Sequence, residues 1–172
     1  PELARLVGPA GHVTAVEFIQ PFSDVNEANN GGLGNIEFKC ADVTTLQLPP
    51  ASCDTIFINW LLMYLNDDEV SAFAHNALRW LSPGGHLFFR ESCRQQSGSA
   101  KRTFNPTHYR DPERYDEIFK SAAAPGHKLS LRRQESSQTY IKHKGNPNQI
   151  IWLWQKEALA DPRSSGPRGS LS

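Results

Sequence analysis

The sequence NDDEVSAFAHNALRWLSPGGHLFFRE, residues 66–91, places a helix pattern, a stop signal and a strand pattern in direct succession. Asn66 can cap the helix, and Glu69 can complete a capping box three residues later. The apolar residues that follow share one helical stripe: Val70, Phe73, Ala74, Ala77, Leu78 and Leu81. The SPGG at 82–85 predicts the end of the helix, and residues 86–91 predict an apolar strand. A helix that leads straight into a buried strand indicates an α/β protein.

The same alternation extends along the chain in both directions. Further strands are predicted at residues 12–18, 36–41, 55–59, 127–131, 139–141 and 149–156, and further helices at 22–29 and 112–123. Apolar runs such as TIFIN and HLFF suit a parallel sheet that helices cover on both faces. The strand 149–156 is apolar on both faces, so it is expected inside the sheet, with Trp152 and Trp154 in the core. The predicted fold class is α/β.

Length and charge set limits on domain number and partners. The 172 residues suit one domain, predicted over 1–157, and the Pro, Gly, Ser and Arg composition of 158–172 predicts a disordered tail. Lys plus Arg (18) balances Asp plus Glu (18), which does not favour nucleic acid or an anionic membrane as a partner. No apolar run is long enough for a membrane helix and no signal peptide is evident. A cytoplasmic monomer is expected.

Three cysteines, Cys40, Cys53 and Cys93, occur without a CxxC spacing. Their odd number and their spacing indicate free thiols rather than a disulfide framework or a zinc site. No metal site is therefore predicted.

A basic loop follows the strand at 86–91. The sequence FFRESCRQQSGSAKRTFNPTHYR, residues 88–110, combines cations with hydroxyl and aromatic groups: Arg90, Arg94, Lys101, Arg102, His108, Tyr109 and Arg110. A forked guanidinium matches phosphate oxygens well, so the loop predicts a phosphate-bearing small molecule as ligand. The alternative is a solvated basic loop. Arg90 lies within an apolar strand, where a buried structural ion pair is the favoured interpretation.

Polar residues stand at the carboxyl ends of the predicted strands, where α/β sheets bind ligands. Glu17 ends the first strand and can accept hydrogen bonds from a ribose diol, and Asp42 follows the next strand and can accept from an adenine amino group. Asn59 and Trp60 end the TIFIN strand, and Glu91 ends the strand 86–91. Together these ends are expected to surround a nucleoside-like ligand. The alternative for each acid is a solvated loop residue or a helix cap.

Several motifs carry a family resemblance. The runs NWLLMYL, FFRESC, NPTHYR and NQIIWLWQK, in that order and spacing, resemble the first methyltransferase domain of the phosphoethanolamine N-methyltransferases over roughly residues 11–156. The resemblance implies a class I methyltransferase fold. It also implies transfer of a methyl group from S-adenosylmethionine to the amine of phosphoethanolamine, towards phosphocholine and phosphatidylcholine.

The resemblance implies roles for residues that bind the cofactor. Glu17 would hold the ribose hydroxyls, and Asp42 with Val43 would contact the adenine. Asn59 and Trp60 would lie beside the sulfonium, where a carbonyl oxygen and an aromatic face favour positive charge.

The resemblance also implies roles at the substrate. Tyr64 and His108 would be the catalytic residues, and Tyr64, His108 or a water chain would accept the proton of the amine. The phosphate would be held by Arg102, His108, Tyr109, Arg110 and Lys142, with Lys144 as an alternative to Lys142. For His108 and Tyr109 the competing interpretation is packing within an ordered loop.

The glycine-rich loop of the family does not occur in the sequence, since Gly8 and Gly11 do not form GxGxxG. The expectation is a fold that lacks the first strand and this loop. Two interpretations follow, an incomplete stretch of an active enzyme, or a remnant that cannot bind the cofactor and at most binds phosphate or pairs with another subunit. The 172 residues alone are expected to show little activity.

Overall fold

The computed structural model describes residues 1–95 and 107–159. The chain divides into two units, Pro1–Gln47 and Leu48–Ser172. The predicted domain end at 157 and the predicted disordered tail stay predictions, because residues after 159 lie outside the described ranges.

The first unit is built on two parallel strands. Its elements are α1 (Glu2–Val7), β1 (Val13–Glu17), α2 (Gln20–Asn30), a 3-10 helix (Gly31–Leu33) and β2 (Ile36–Cys40). In the sheet Val13 pairs with Ile36 and Glu17 pairs with Cys40, so both strands end at the same edge. The two strands and the helix predicted for this part of the sequence are confirmed.

The second unit is a five-stranded sheet with helices. Its elements are β3 (Cys53–Asn59), a 3-10 helix (Leu62–Tyr64), α3 (Asp67–Trp80), β4 (Leu81–Ser92), α4 (Pro112–Ser121), β5 (Ala123–Ala124), β6 (His127–Ser136), α5 (Gln138–Lys144) and β7 (Gln149–Ala158). The strand order is β3-β4-β7-β6-β5. Only β3 and β4 are parallel among these strands, since β7 runs antiparallel to both β4 and β6. The α/β class is confirmed and β7 is internal as predicted, but the sheet is mixed rather than parallel.

Helix α3 and strand β4 form as the sequence predicts. The side chain of Asn66 accepts from the Glu69 amide at 3.0 Å, and the Glu69 carboxylate accepts from the Asn66 amide at 2.7 Å. The predicted apolar stripe of α3 is buried. Strand β4 begins at Leu81, earlier than predicted, so the SPGG at 82–85 lies within the strand. Gly85 must be glycine there, because a Cβ would lie 2.9 Å from the Ser82 carbonyl oxygen and 3.0 Å from that of Asp54.

The core of this unit is aromatic. Phe89 stacks on Trp152 with ring centroids 4.7 Å apart, and Phe119 stacks on Trp154 at 5.9 Å. Both tryptophans are fully buried, which confirms their predicted place in the core. Burial of each ring contributes roughly 2–3 kcal/mol or more of hydrophobic free energy. This core fixes the sheet whose strand ends carry the candidate site.

One predicted strand is wrong. Residues 139–141 lie in helix α5, which ends at Gly145 in the left-handed conformation (φ 59°). The residues Thr139, Tyr140 and Ile141 favour strands intrinsically, but such propensity is weak over three positions and local context overrides it. Gly145, a typical residue at the end of a helix, indicates the helix better than the strand propensity of residues 139–141 indicates a strand. No helix within the described ranges is long and apolar enough to cross a membrane.

Candidate functional site

The two acids predicted to bind a nucleoside lie at the same sheet edge of the first unit. Glu17 ends β1, and its Oε1 accepts from the amide of Ile19 at 2.9 Å. Asp42 follows β2, and its Oδ1 accepts from the amide and the hydroxyl of Thr44, both at 2.8 Å. Val43 is partly exposed beside it. Hydrogen bonds to the backbone therefore fix both carboxylates at the carboxyl ends of neighbouring parallel strands.

In the second unit the chain leaves β3 through a tight segment, residues 60–65, which we call the 60–65 turn. Trp60 has a φ of +54°, in the left-handed region that bulky residues rarely adopt. Its amide donates to the Arg90 carbonyl oxygen at 2.9 Å, and its indole Nε1 donates to the Gln149 side chain at 2.8 Å. Such strain persists only where surrounding contacts fix the conformation. The 60–65 turn is thus a rigid part of the structure.

Arg90, Trp60 and Tyr140 form a cation–aromatic cluster at the end of β4. The guanidinium carbon of Arg90 lies 4.6 Å from the Trp60 ring centroid and 5.2 Å from that of Tyr140. The two rings meet edge to face at 5.9 Å. Arg90 Nε also donates to the Asn59 side chain at 2.9 Å. Arg90 is partly exposed and stacks on aromatic faces, and it forms no ion pair within the described residues, so the prediction of a buried ion pair is wrong there.

Glu91 is fully buried beneath the 60–65 turn. Its Oε1 accepts from the amides of Leu61 at 2.9 Å and Leu62 at 2.8 Å. Burial raises the pKa of its carboxyl to about 7, although the amide hydrogen bonds and the charge of Arg110 act in the opposite direction. Glu91 faces the protein interior, so the expectation that it lines a ligand together with the other strand ends is wrong.

Arg110 holds the other side of the same turn. It is 6% exposed and donates to the carbonyl oxygens of Leu62 at 3.0 Å and Leu65 at 2.6 Å. Its Nε pairs with Asp67 at 2.6 Å, and this pairing lowers the pKa of the Asp67 carboxyl. Most of the guanidinium donors are therefore directed at protein acceptors. Phosphate binding by Arg110 stays a prediction, and the geometry favours a structural role.

The other residues predicted to act on the substrate lie in three places. Tyr64 is partly exposed within the 60–65 turn, and the His108 amide donates to the Met63 carbonyl oxygen at 2.7 Å, which puts His108 and Tyr109 beside that turn. The His108 side chain is exposed, and Lys142 is exposed on α5, two positions after Tyr140. Arg102 lies outside the described residues.

Sequence reasoning missed two members of this site, Tyr140 and Gln149. Gln149 is fully buried, accepts from the Trp60 indole and donates to the Ser92 hydroxyl at 2.9 Å. A buried glutamine in an otherwise apolar strand was a signal, since buried amides are retained where both ends find partners. The strand predicted at residues 139–141 gives no reason to place Tyr140 in this site.

Comparison with known proteins identifies the class. The family model described as a methyltransferase domain matches residues 1–89, and the fold is that of the class I methyltransferases, as predicted. The chain therefore belongs to the methyltransferase domain family.

Within that family the chain is similar to phosphoethanolamine N-methyltransferases, which confirms the resemblance seen in the motifs. It is 48% identical to the Triticum aestivum enzyme over 92% of this chain and 33% of the relative. It is 47% identical to phosphoethanolamine N-methyltransferase 3 of Arabidopsis thaliana over 92% of this chain and 34% of the relative. The chain thus spans about a third of the length of these curated relatives.

A solved structure shows the same similarity in three dimensions. Phosphoethanolamine N-methyltransferase 1 of Haemonchus contortus, in complex with phosphoethanolamine and S-adenosylhomocysteine, matches with a TM-score of 0.84 at 33% identity. The match covers 92% of this chain and 37% of that chain.

Proposed function

We propose that this chain is the methyl-transferring domain of an enzyme that moves a methyl group from S-adenosylmethionine to the amine nitrogen of phosphoethanolamine. The similarity in fold and sequence to the Haemonchus contortus enzyme, whose structure contains phosphoethanolamine and S-adenosylhomocysteine, carries the proposal. The product lies on the route towards phosphocholine.

The acids of the first unit suit the nucleoside part of the cofactor. Glu17 offers a carboxylate at the end of β1 for the ribose diol, and Asp42, with Val43, occupies the matching position after β2 for the adenine. Their hydrogen bonds to Ile19 and Thr44 fix the carboxylates before any ligand binds. The bound cofactor supplies a methyl group on a positively charged sulfur. Asn59 and Trp60 are proposed to favour that charge through an oxygen and an aromatic face.

The phosphate of the substrate is proposed to contact Arg102, Tyr109, His108 and Lys142. Lys142 is exposed, and cationic groups and a phenol suit phosphate oxygens, which accept strong charge-assisted hydrogen bonds. Arg110 is proposed to contribute by fixing the loop that carries His108 and Tyr109, since its guanidinium binds the 60–65 turn. Holding the phosphate at one end aligns the amine at the other, and alignment contributes much of the acceleration in a displacement between two bound ligands.

The amine must lose a proton before it attacks. Its pKa resembles the value of about 10 for lysine, so the site needs an acceptor. Tyr64 and His108 are the proposed acceptors, directly or through water, because the His108 amide donates to the turn that carries Tyr64.

The proposal also includes a cytoplasmic location and a monomeric state, with a small molecule and not nucleic acid as the partner. The free thiols of Cys40, Cys53 and Cys93 and the equal counts of acidic (18) and basic (18) residues support this part.

A methyl-transfer assay tests the proposal. The protein expressed from its complete reading frame is incubated with S-adenosylmethionine that carries an isotopically labelled methyl group, together with phosphoethanolamine. Mass spectrometry is expected to find the label on the nitrogen of the product. Unlabelled phosphoethanolamine after many equivalents of enzyme, or calorimetry without heat of S-adenosylmethionine binding, would contradict it.

A further inference from the structure

A buried carboxylic acid with no assigned role lies under the 60–65 turn. Glu91 is 0% exposed, and its Oε2 has no hydrogen-bond partner among the described residues. Burying a carboxyl in such a place costs several kcal/mol, and an apolar side chain would fill the same volume without that cost. An acid there is understandable only if its contacts serve a purpose beyond packing.

The contacts of Glu91 are directed at the backbone of the turn. One oxygen, Oε1, accepts from the consecutive amides of Leu61 and Leu62 at 2.9 and 2.8 Å. These amides follow Trp60, the residue with the strained φ of +54°. The two hydrogen bonds therefore stabilise the backbone next to a residue whose positive φ is intrinsically unfavourable.

The opposite side of the turn is held by a charge of opposite sign. Arg110 donates to the carbonyl oxygens of Leu62 and Leu65, and the His108 amide donates to that of Met63. Glu91 therefore binds the amides of the turn, whereas Arg110 and the loop at 107–110 bind its carbonyl groups. The other titratable groups near Glu91 are Cys93 and Tyr115, and burial raises the pKa of the thiol to about 12 and that of the phenol too. Both stay neutral, so among the described residues Arg110 is the charged group that acts on this acid.

The turn that Glu91 and Arg110 bind carries two residues of the proposed reaction. Trp60 begins the turn, and Tyr64 is four positions on, within the 3-10 helix Leu62–Tyr64. A shift of the amides at Leu61 and Leu62 would rotate both side chains. A displacement of about 1 Å in a positioning contact can slow a reaction by about a hundredfold.

We propose that Glu91 is a positioning residue for methyl transfer, whose buried carboxylate holds the amides of Leu61 and Leu62 so that Trp60 and Tyr64 keep the orientation the reaction needs. This rests on the proposed function, since Trp60 and Tyr64 belong to the site assigned there. Glu91 acts through the turn and does not touch the ligands.

Three variants test the role. Glu91→Gln keeps an acceptor oxygen at the same reach and is expected to keep kcat within about fivefold of the wild type, because the positioning contact survives. Glu91→Asp keeps the charge but is one methylene too short to reach both amides, and kcat is expected to fall by about a hundredfold with a smaller change in KM. Lys156→Met is the control, since Lys156 is also buried and also binds a backbone carbonyl, that of Leu81 at 2.6 Å, in a different part of the sheet.

Amide hydrogen exchange supplies a readout that does not depend on activity. The amides of Leu61 and Leu62 are expected to exchange at least about tenfold faster in Glu91→Asp than in Glu91→Gln, since one lost hydrogen bond opens the turn. Lys156→Met is expected to leave these amides and kcat unchanged even if it lowers the melting temperature. Equal protection in Glu91→Asp and the wild type would overturn the inference, as would faster exchange with an unchanged kcat.

These outcomes separate the inference from the proposed function. A wild-type protein that does not methylate phosphoethanolamine overturns the proposed function, whatever the exchange rates show. A wild-type protein that does so, with a Glu91→Asp variant equally fast, overturns the positioning role alone. If Glu91→Asp does not fold, Glu91→Gln decides, because a loss of kcat beyond about a hundredfold in a folded Gln variant would contradict a role based on hydrogen-bond acceptance.

Discussion

Replacing Arg110 by methionine is expected to destabilise the second unit strongly in the absence of any ligand. Methionine keeps the apolar part of the side chain, which reaches to about the position of Nε, but removes every donor. The carbonyl oxygens of Leu62 and Leu65 then lose their guanidinium partner inside the protein, and Asp67 loses an ion pair at 2.6 Å. The variant thereby isolates the donors from the packing.

The magnitude follows from the burial of these groups. A buried acceptor that loses a charged donor costs about 1–3 kcal/mol, and the two carbonyl groups together account for most of the effect. Asp67 is 45% exposed, so its pairing adds little after screening by water. The expected loss is about 3–5 kcal/mol in the free energy of unfolding.

Arg114→Met is the matched control. Arg114 pairs with the same carboxylate, Asp67, at 2.9 Å, but it is 48% exposed. An exposed pair of this kind contributes little to stability, because water screens the two charges. The two variants therefore share a partner and a change of charge and differ in burial.

Urea denaturation followed by tryptophan fluorescence measures both variants, because Trp60, Trp80, Trp152 and Trp154 all lie in the second unit. The reasoning is refuted if Arg110→Met is as stable as Arg114→Met. An unchanged stability together with a raised KM for phosphoethanolamine would instead support direct phosphate binding by Arg110.

Three further perturbations have expected outcomes. Asn66→Ala removes the capping box of α3 and should lower the free energy of unfolding by about 1 kcal/mol, measured by urea denaturation. The Glu91 carboxyl has its pKa raised by burial from 4.5 to about 7, so the stability that comes from its protonated form is lost as pH rises from 4.5 through 7. The wild type should therefore lose about 3 kcal/mol relative to Glu91→Gln, which cannot ionise, between pH 4.5 and pH 8, and parallel curves would contradict this. Lys142→Met should raise the KM for phosphoethanolamine by about tenfold, whereas Lys120→Met, at an exposed position of α4, should not change it.

Local signals allowed much of the fold to be predicted. The capping box at Asn66 and the stripe along α3 act within a few residues of one another, and the structure has them as expected. The SPGG at 82–85 was expected to separate helix from strand, but β4 already begins at Leu81 and contains it. The apolar pattern of β7 likewise revealed its internal place. The antiparallel insertion of β7 between β4 and β6 could not be predicted, because the direction of a buried strand leaves no trace in its own apolar pattern.

Site residues at strand ends could be predicted from the sequence. Residues whose role depends on contacts with distant parts of the chain could not. Glu17 is the last residue of β1 and Asp42 comes two positions after the end of β2, and the parallel pairing of the two strands brings both to one edge. Arg110 looked like a phosphate ligand because its sequence neighbours are basic and aromatic. Its acceptors, Leu62 and Leu65, lie more than forty positions away, and only the folded chain shows that they surround it.

Glu91 also shows that a residue's burial cannot be predicted from its sequence neighbours. At the end of an apolar strand it resembled a ligand-binding acid, but its side chain points inward to the amides of Leu61 and Leu62. Strand alternation assigns a residue to a face, and whether that face is solvent or core depends on what packs above it. The 60–65 turn covers Glu91, and no local pattern predicted that turn.

The central claim is that this domain methylates an amine which it selects by its phosphate. The most direct measurement is the ratio of kcat/KM for phosphoethanolamine to that for ethanolamine, with S-adenosylmethionine saturating and the protein expressed from its complete reading frame. Two or more charge-assisted hydrogen bonds to the phosphate predict a ratio of at least about a hundred. A ratio near one would contradict the account.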